Sequence, residues 1–139
     1  MIRILIVEDE DIIIKVMKKT FSLYGECEVS KTGDDAMMQY MSGIENDKPF
    51  DLVLLDISLG EGSGLSVLKE IRDMEKKAGI KKHSDGVKIV MTTGNRKEKV
   101  VKDSIAAGCN GYILKPLVPE MVAKTMENFK FEPMVSPEA

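Results

Sequence analysis

The sequence predicts an α/β domain built around a parallel sheet with helices on both faces. Five short apolar segments alternate along the chain with segments of helical periodicity, and this alternation favours parallel strands joined by crossover helices. The central segment Leu52–Leu55 is uniformly apolar, which is typical of a strand buried on both faces. The length of 139 residues suits a single domain with one core.

The predicted strands share apolar or β-branched residues and are followed by polar or charged ones. In chain order they are Ile2–Val7, Glu26–Lys31, Leu52–Leu55, Val87–Thr92 and Gly111–Leu114. The second is the most polar of the five, so we expect it at an edge of the sheet.

The predicted helices follow these strands. They run from about Asp11 to Tyr24, from a Thr32 cap onward, from near Gly64, from Arg96 to Ala107 and from about Pro119 to Phe129. Their spacing predicts core-facing residues Ile13, Val16, Met17, Phe21 and Tyr24, then Met37, Tyr40, Met41 and Ile44, then Leu65, Leu68 and Ile71, then Val101 and Ile105, and finally Val122, Met126 and Phe129. Segment 75–86 is predicted to be a polar loop, residues 1–131 the domain, and 132–139 a flexible tail.

The composition argues against several classes of function. The net charge is −3 and no basic block is present, so the chain lacks the electrostatic footprint of a nucleic-acid-binding protein. Cys27 and Cys109 lie far apart without metal-ligand spacing, and we expect reduced, packed thiols. No signal peptide is recognisable, and no segment approaches the roughly 20 apolar residues of a membrane span, so we expect a cytoplasmic location.

Polar and charged side chains follow four of the predicted strands, and the carboxyl ends of parallel strands share one edge, where open α/β sheets bind ligands. The residues expected there are Glu8, Asp9, Asp56, Thr92, Thr93 and Lys115. Neighbouring carboxylates repel one another and raise the pKa of at least one of them unless a cation intervenes. Mg²⁺ fits this pattern because it takes one or two carboxylates and leaves room for a phosphate oxygen.

Such an edge is equipped to accept a phosphoryl group. Asp56 is the candidate nucleophile because it ends the central strand, while the metal and Lys115 would offset charge on the phosphoryl oxygens. Alone, Asp56 is more simply interpreted as a helix cap or turn residue. Its combination with Asp9, Thr93 and Lys115 favours the functional interpretation.

Four motifs resemble those of a known family. The segments ILIVEDE at 4–10, LLDISL at 54–59, MTTG at 91–94 and YILKP at 112–116 are similar, in order and spacing, to the receiver domain of two-component response regulators. The resemblance covers about residues 2–130. It implies a five-stranded parallel sheet of order 2-1-3-4-5 flanked by five helices, which is the flavodoxin-like arrangement.

The resemblance also implies a role for each acidic residue. Asp56 would be the phosphoacceptor. Asp9 would bind Mg²⁺ directly, and Glu8 would act through a water molecule. The Asp56 carboxylate and the backbone carbonyl of Ser58 would complete the metal site.

Further roles implied by the resemblance concern the switch. Thr93 would contact the phosphoryl group and move upon phosphorylation, and Tyr112 would turn inward with it. Thr93 is assigned rather than Thr92 because a small residue follows it. Lys115 would pair with the phosphoryl group and would be joined to Pro116 by a cis peptide bond.

Two positions depart from the family pattern. Gly60 stands where the family usually has proline, which predicts a looser loop after Asp56. Val118 stands where the family usually caps the last helix, and its side chain cannot accept a hydrogen bond.

The function implied is that of a response regulator receiver. A sensor histidine kinase or a histidine phosphotransfer protein would supply the phosphoryl group. The face formed by the fourth helix, the fifth strand and the fifth helix would then change its affinity for a downstream protein. The chain would catalyse its own phosphotransfer and slow dephosphorylation without otherwise being an enzyme, and we expect no direct contact with nucleic acid or a membrane.

Three alternatives stand beside this interpretation. The first is a receiver that forms part of a longer regulator with a DNA-binding output domain. The second is an aspartyl phosphatase of the haloacid dehalogenase type, which needs an aspartate two residues after the nucleophile, where Ser58 stands. The third is a flavin-binding electron carrier, whose phosphate loop would follow the first strand, where acids 8–11 would repel it.

Overall fold

The computed structural model describes residues 1–59, 64–94 and 98–134 and contains a five-stranded parallel sheet. The strands are β1 (Ile2–Val7), β2 (Gly25–Ser30), β3 (Leu52–Asp56), β4 (Lys88–Thr93) and β5 (Gly111–Leu114). Their order is β2-β1-β3-β4-β5, and all four neighbouring pairs are parallel. The predicted fold class, strand order and edge position of β2 are therefore confirmed, although β2 and β4 are each shifted by one residue from their predicted bounds.

An α-helix follows each of the five strands. In the described part of the chain they are α1 (Asp11–Phe21), α2 (Gly33–Glu45), α3 (Gly64–Lys77), α4 (Glu98–Ala106) and α5 (Pro119–Asn128), with a single 3-10 turn at His83–Asp85. The predicted loop at Gly60, the predicted start of the fourth helix at Arg96 and the tail beyond residue 134 lie outside the described residues. In the described ranges, no helix is long and apolar enough to cross a membrane.

The side chains of β1 alternate between the two faces of the sheet. Leu5 and Val7 pack in a cluster with residues of α2 and α3, and Ile4 and Ile6 pack in a second cluster with residues of α1 and α5. All four are fully buried. Helices thus cover both faces of the sheet, and the polar groups that end its strands lie at the margin of the core.

The predicted core-facing side of α1 is partly wrong. Val16 is 48% exposed, whereas Ile14, two residues before it, is buried. Tyr24 is buried as predicted, but α1 ends at Phe21 rather than at Tyr24. Three consecutive isoleucines open α1, so the apolar pattern is compatible with more than one rotation about the helix axis.

Small residues account for the corresponding errors in α2 and α4. Met41 and Ile44 are exposed, and α2 instead buries Ala36 and Gly43 beside Tyr40. A small side chain lets a helix approach the sheet closely, which an analysis of large apolar residues does not detect. In α4, similarly, Ile105 is 61% exposed and the neighbouring Ser104 is buried.

Local signals at the helix ends were more reliable. The Thr32 side chain accepts a hydrogen bond from the Asp35 N–H at 3.1 Å and caps α2. Val118 makes no side-chain cap, as predicted, and Pro119 occupies the start of α5.

Both cysteines are free and half-buried. At the other end of α5 the chain returns toward α1, where the Met134 N–H donates to the Leu23 carbonyl at 2.6 Å.

The segment predicted as the polar loop 75–86 contains a buried ionic contact. Helix α3 continues to Lys77, and the Glu75 carboxylate is buried against the Arg72 guanidinium at 2.5 Å. The same carboxylate accepts the Val87 N–H at 2.7 Å. Arg72 also donates to the Gly108 carbonyl at 2.8 Å and so joins α3 to the end of α4. This contact is difficult to predict from sequence because Arg72 and Glu75 stand among other charged residues.

Replacement of Glu75 by alanine is expected to destabilise the protein by about 3 kcal/mol, because the largely buried Arg72 guanidinium loses its only carboxylate among the described residues and the Val87 N–H loses its acceptor. The matched control is Asp73→Ala, which removes an exposed pair with Lys77 and should cost about 0.5 kcal/mol or less. Urea denaturation of the two variants measures the difference. A decrease in unfolding free energy for Glu75→Ala as small as that expected for Asp73→Ala would show that the Glu75 contact contributes little to stability.

Candidate functional site

The predicted site residues meet at the carboxyl edge of the sheet. Glu8 and Asp9 follow β1, Asp56 ends β3, Thr93 ends β4, and Lys115 follows β5. Because all the strands are parallel, their carboxyl ends face the same side, and residues from distant parts of the chain come together there.

Asp56 is held in place by the backbone around it. Its side chain is 4% exposed, and its Oδ1 accepts the Ser58 N–H at 3.2 Å. Helix α3 begins close behind it at Gly64, where an added Cβ would lie 2.0 Å from the Asp56 carbonyl oxygen. Only glycine permits this approach, and it leaves the carboxylate directed to the edge with one backbone donor already engaged.

Three carboxylates form a compact cluster. One oxygen each from Glu8, Asp9 and Asp56 can be chosen so that all three lie within 4.8 Å of one another. Glu8 is fully buried, Asp9 is half-buried, and the Asp9 N–H donates to the Glu8 Oε2 at 3.1 Å. Oxygen atoms at this spacing match the requirements of a hard divalent ion such as Mg²⁺.

Lys115 supplies a positive charge beside two of these carboxylates. Its Nζ lies 2.5 Å from the Glu8 Oε1 and 3.3 Å from the Asp56 Oδ1. The side chain is only 18% exposed, and the backbone N–H donates to the Thr93 carbonyl at 2.8 Å. The peptide bond to Pro116 is cis, as the resemblance implied. Lys115 therefore contacts two carboxylates at once, although its single charge can balance only one of them.

The acid–base properties of the site follow from burial. Burial raises the pKa of Glu8 to about 7, a hydrogen bond with Asp56 adds to this effect, and Lys115 opposes it. Burial lowers the pKa of Lys115, but the hydrogen bond with Glu8 and the charges of both acids outweigh it, so the net pKa of this lysine is raised. A carboxyl pKa is thus raised at Glu8, as predicted, but the largest cause is burial rather than repulsion between carboxylates. The cluster carries more negative charge than one lysine balances, which favours uptake of a further cation.

Thr93 and Tyr112 are adjacent on β4 and β5. Thr93 is buried and Tyr112 is half-buried. Burial raises the pKa of Tyr112, and a hydrogen bond with Thr93 opposes the shift, so the two side chains are in contact. Thr92 is paired in register with Asp56, but its hydroxyl is buried with no hydrogen-bond partner among the described residues. The two threonines thus have different environments, and Thr93 is the one linked to the aromatic ring.

Sequence reasoning missed the direct contact between Glu8 and Lys115. It assigned Lys115 to a phosphoryl group and Glu8 to a water-mediated role, whereas the two side chains are hydrogen-bonded. The sequence indicated that Glu8 and Lys115 lie at the same edge of the sheet, but it could not give the distance between their side chains. The backbone carbonyl of Ser58 remains a predicted metal ligand. The contact that the structure shows is the hydrogen bond from the Ser58 N–H to the Asp56 carboxylate.

Comparison with known proteins assigns the chain to a family. A family model described as the response regulator receiver domain matches residues 4–127. A chemotaxis protein CheY homologue from Campylobacter jejuni is 24% identical over 132 residues, which span 91% of this chain and 90% of that protein. The transcriptional regulatory protein DltR of Streptococcus agalactiae is 32% identical over 124 residues, which span 88% of this chain but only 49% of DltR.

Solved structures have the same fold. A CheY-like response regulator receiver domain protein from Methanospirillum hungatei is 27% identical, with a TM-score of 0.74 and 93% of each chain covered. A chain of the CheX–CheY–BeF3–Mg²⁺ complex from Borrelia burgdorferi has a TM-score of 0.76 at 24% identity, with 94% of this chain and 90% of that chain covered. At that identity the second likeness concerns the fold alone.

The family match spans β1 to α5 and includes every site residue described above. The resemblance inferred from the four motifs is confirmed: this chain belongs to the response regulator receiver domain family of two-component signalling.

Proposed function

We propose that this chain accepts a phosphoryl group on Asp56 from a histidine kinase or a histidine phosphotransfer protein and thereby switches its affinity for a downstream protein. The position of Lys115 between the carboxylates of Glu8 and Asp56 carries the proposal. A cation held there can balance the charge of a phosphoryl group on the neighbouring oxygen.

The acidic cluster supports a magnesium site. Asp9, Asp56 and the Ser58 carbonyl would bind the ion, and Glu8 would act through water. The bound metal would supply charge neutralisation for the carboxylates and the incoming phosphoryl oxygens. Glu8 already engages Lys115 through a hydrogen bond, which agrees with a water-mediated role toward the metal.

The transfer itself is a displacement at phosphorus. A carboxylate oxygen of Asp56 attacks, the P–O bond to Asp56 forms, and the P–N bond to the donor histidine breaks, so the electron pair of that bond returns to the imidazole. The Lys115 ammonium moves toward the new phosphoryl oxygens. The Ser58 N–H, at 3.2 Å from Oδ1, holds the carboxylate in position for attack. The chain catalyses its own phosphorylation and slow dephosphorylation and is not otherwise an enzyme.

The switch would run through Thr93 and Tyr112. A phosphoryl group on Asp56 would attract the Thr93 hydroxyl, which is hydrogen-bonded to Tyr112 in the unphosphorylated protein. Movement of Thr93 would release the ring to turn inward and alter the face formed by α4, β5 and α5, where a downstream protein would bind. A coupling free energy of about 1–3 kcal/mol suffices for such a switch.

The first prediction concerns the acceptor. With Mg²⁺ present throughout, we expect addition of excess beryllium fluoride to raise the unfolding free energy of the wild-type protein by about 2–3 kcal/mol through ligand linkage, and that of Asp56→Asn not at all. Thermal or urea denaturation measures this. The control is Asp51→Asn at the opposite end of β3, where the carboxylate accepts the Arg3 N–H at 2.8 Å, and it should respond like the wild type. An equal gain in Asp56→Asn would contradict the assignment.

The second prediction concerns the metal. Asp9→Asn should weaken Mg²⁺ binding about tenfold or more, because it removes a charged oxygen ligand. Calorimetric titration gives the dissociation constants. Asp11→Asn is the matched control, since Asp11 is exposed and paired with Lys31 rather than with the cluster, and its affinity should be unchanged. Indistinguishable affinities for all three proteins would exclude Asp9 as a ligand.

The third prediction separates Lys115 from the metal. Lys115→Ala should leave Mg²⁺ affinity largely intact, since the ammonium is not a ligand, but should abolish the response of Tyr112 to beryllium fluoride. The ring resonances of Tyr112 in NMR spectra report that response. Lys31→Ala, which loses only an exposed pair with Asp11, should respond like the wild type. A full Tyr112 response in Lys115→Ala would remove this lysine from the switch.

A further inference from the structure

A groove lies between α3 and α4. It consists of two adjoining cavities of about 380 and 360 Å³ that share Lys69, Ala106 and Ala107 as lining. The two alanines leave space between the helices because their side chains are small. The volume lies within the range of about 300–1,000 Å³ that is common for ligand-binding clefts.

The wall of this groove is basic although the chain as a whole is acidic. Residues 69–82 contain six lysines or arginines and three acids, against a net charge of −3 for the entire sequence. Two of those acids already have partners, since Glu75 pairs with Arg72 at 2.5 Å and Asp73 pairs with Lys77 at 3.2 Å. The remaining positive charge is therefore available to a ligand.

Four exposed lysines provide that charge. Lys69, Lys76 and Lys81 line the α3 side, and Lys99 lines the α4 side. Among the described side chains, none of the four has a carboxylate within 4.0 Å. The lining also includes the carboxylate of Asp103, so the groove offers several cationic donors and at least one acceptor.

The groove is built by hydrogen bonds. The Arg72 Nε donates to the Gly108 carbonyl at 2.8 Å and ties α3 to the end of α4. The Ile80 N–H donates to the Glu75 carbonyl at 2.9 Å, and this bond holds the segment that carries Lys81 against α3. The backbone of the groove is held in this way before a ligand binds, so binding orders side chains rather than the backbone.

We propose that the groove between α3 and α4 is a docking site for an acidic segment of a partner protein, with an apolar side chain between its carboxylates. Lysines match carboxylates as point charges, and half-buried Leu65 and Ile80 can contact the apolar side chain. A peptide also carries backbone N–H groups that can donate to the Asp103 carboxylate, whereas the sugar-phosphate backbone of a nucleic acid has none. This site goes beyond the proposed phosphotransfer and does not require phosphorylation of Asp56.

The test uses a fluorescent synthetic peptide in which glutamates flank two leucines, titrated with the full chain at low ionic strength. The triple variant Lys69→Gln, Lys76→Gln, Lys81→Gln should bind about tenfold or more weakly, because three exposed charge pairs are lost. The control variant Lys15→Gln, Lys18→Gln, Lys19→Gln removes the same charge from exposed positions on α1 and should bind like the wild type. In the described residues, the side chains of the three groove lysines make no hydrogen bond or ion pair, so the variant should keep its fold.

Two further probes complete the experiment. A peptide with glutamine in place of leucine should bind more weakly, and oligothymidylate of equal charge should bind more weakly than the leucine-containing peptide. Absence of peptide binding, equal binding by the two triple variants, or tighter binding of oligothymidylate in the groove would each overturn the proposal.

Discussion

The contact of the Lys115 ammonium with two carboxylates is the interaction on which the site depends. Glu8 and Asp56 are both buried, and each would be costly to ionise without a compensating charge. Lys115 lies 2.5 and 3.3 Å from them and reaches Glu8 across 107 positions of sequence. Burial raises the pKa of Glu8 to about 7 in spite of Lys115. Three carboxylates meet one ammonium here, which favours uptake of a further cation. A divalent ion and a phosphoryl group would together restore the balance.

The sheet makes this contact possible. Strand order β2-β1-β3-β4-β5 places β3 between β1 and β4, so Asp56 lies beside the acids of β1 and next to the threonines of β4. Helix α3 approaches the Asp56 backbone through Gly64, and Lys115 is anchored to Thr93 by its own backbone. The same connections mean that α3 and α4, the walls of the basic groove, each begin soon after a site residue. The proposed phosphotransfer site and the proposed docking surface thus share structural elements without sharing residues.

Much of the fold could be predicted because its signals are local. The β5 bounds, the Thr32 cap and the absence of a side-chain cap at Val118 depend on adjacent residues. The convergence of Glu8, Asp9, Asp56 and Lys115 followed from one non-local assumption, that the strands are parallel. Helix faces were less predictable, since Val16 and Ile14 are equivalent by composition and only the packing of α1 on the sheet distinguishes them. The buried pair of Arg72 and Glu75 was missed because its partners, Val87 and Gly108, are distant in sequence.

Borohydride reduction of the protein after treatment with acetyl phosphate and Mg²⁺, followed by mass spectrometry of its peptides, tests the phosphoacceptor assignment most directly. Borohydride reduces an aspartyl phosphate to an alcohol and leaves free carboxylates intact. We expect homoserine at position 56, with Glu8 and Asp9 unchanged. Reduction at position 9, or a phosphorylated protein in which the aspartate at 56 is unmodified, would contradict the role given to Asp56.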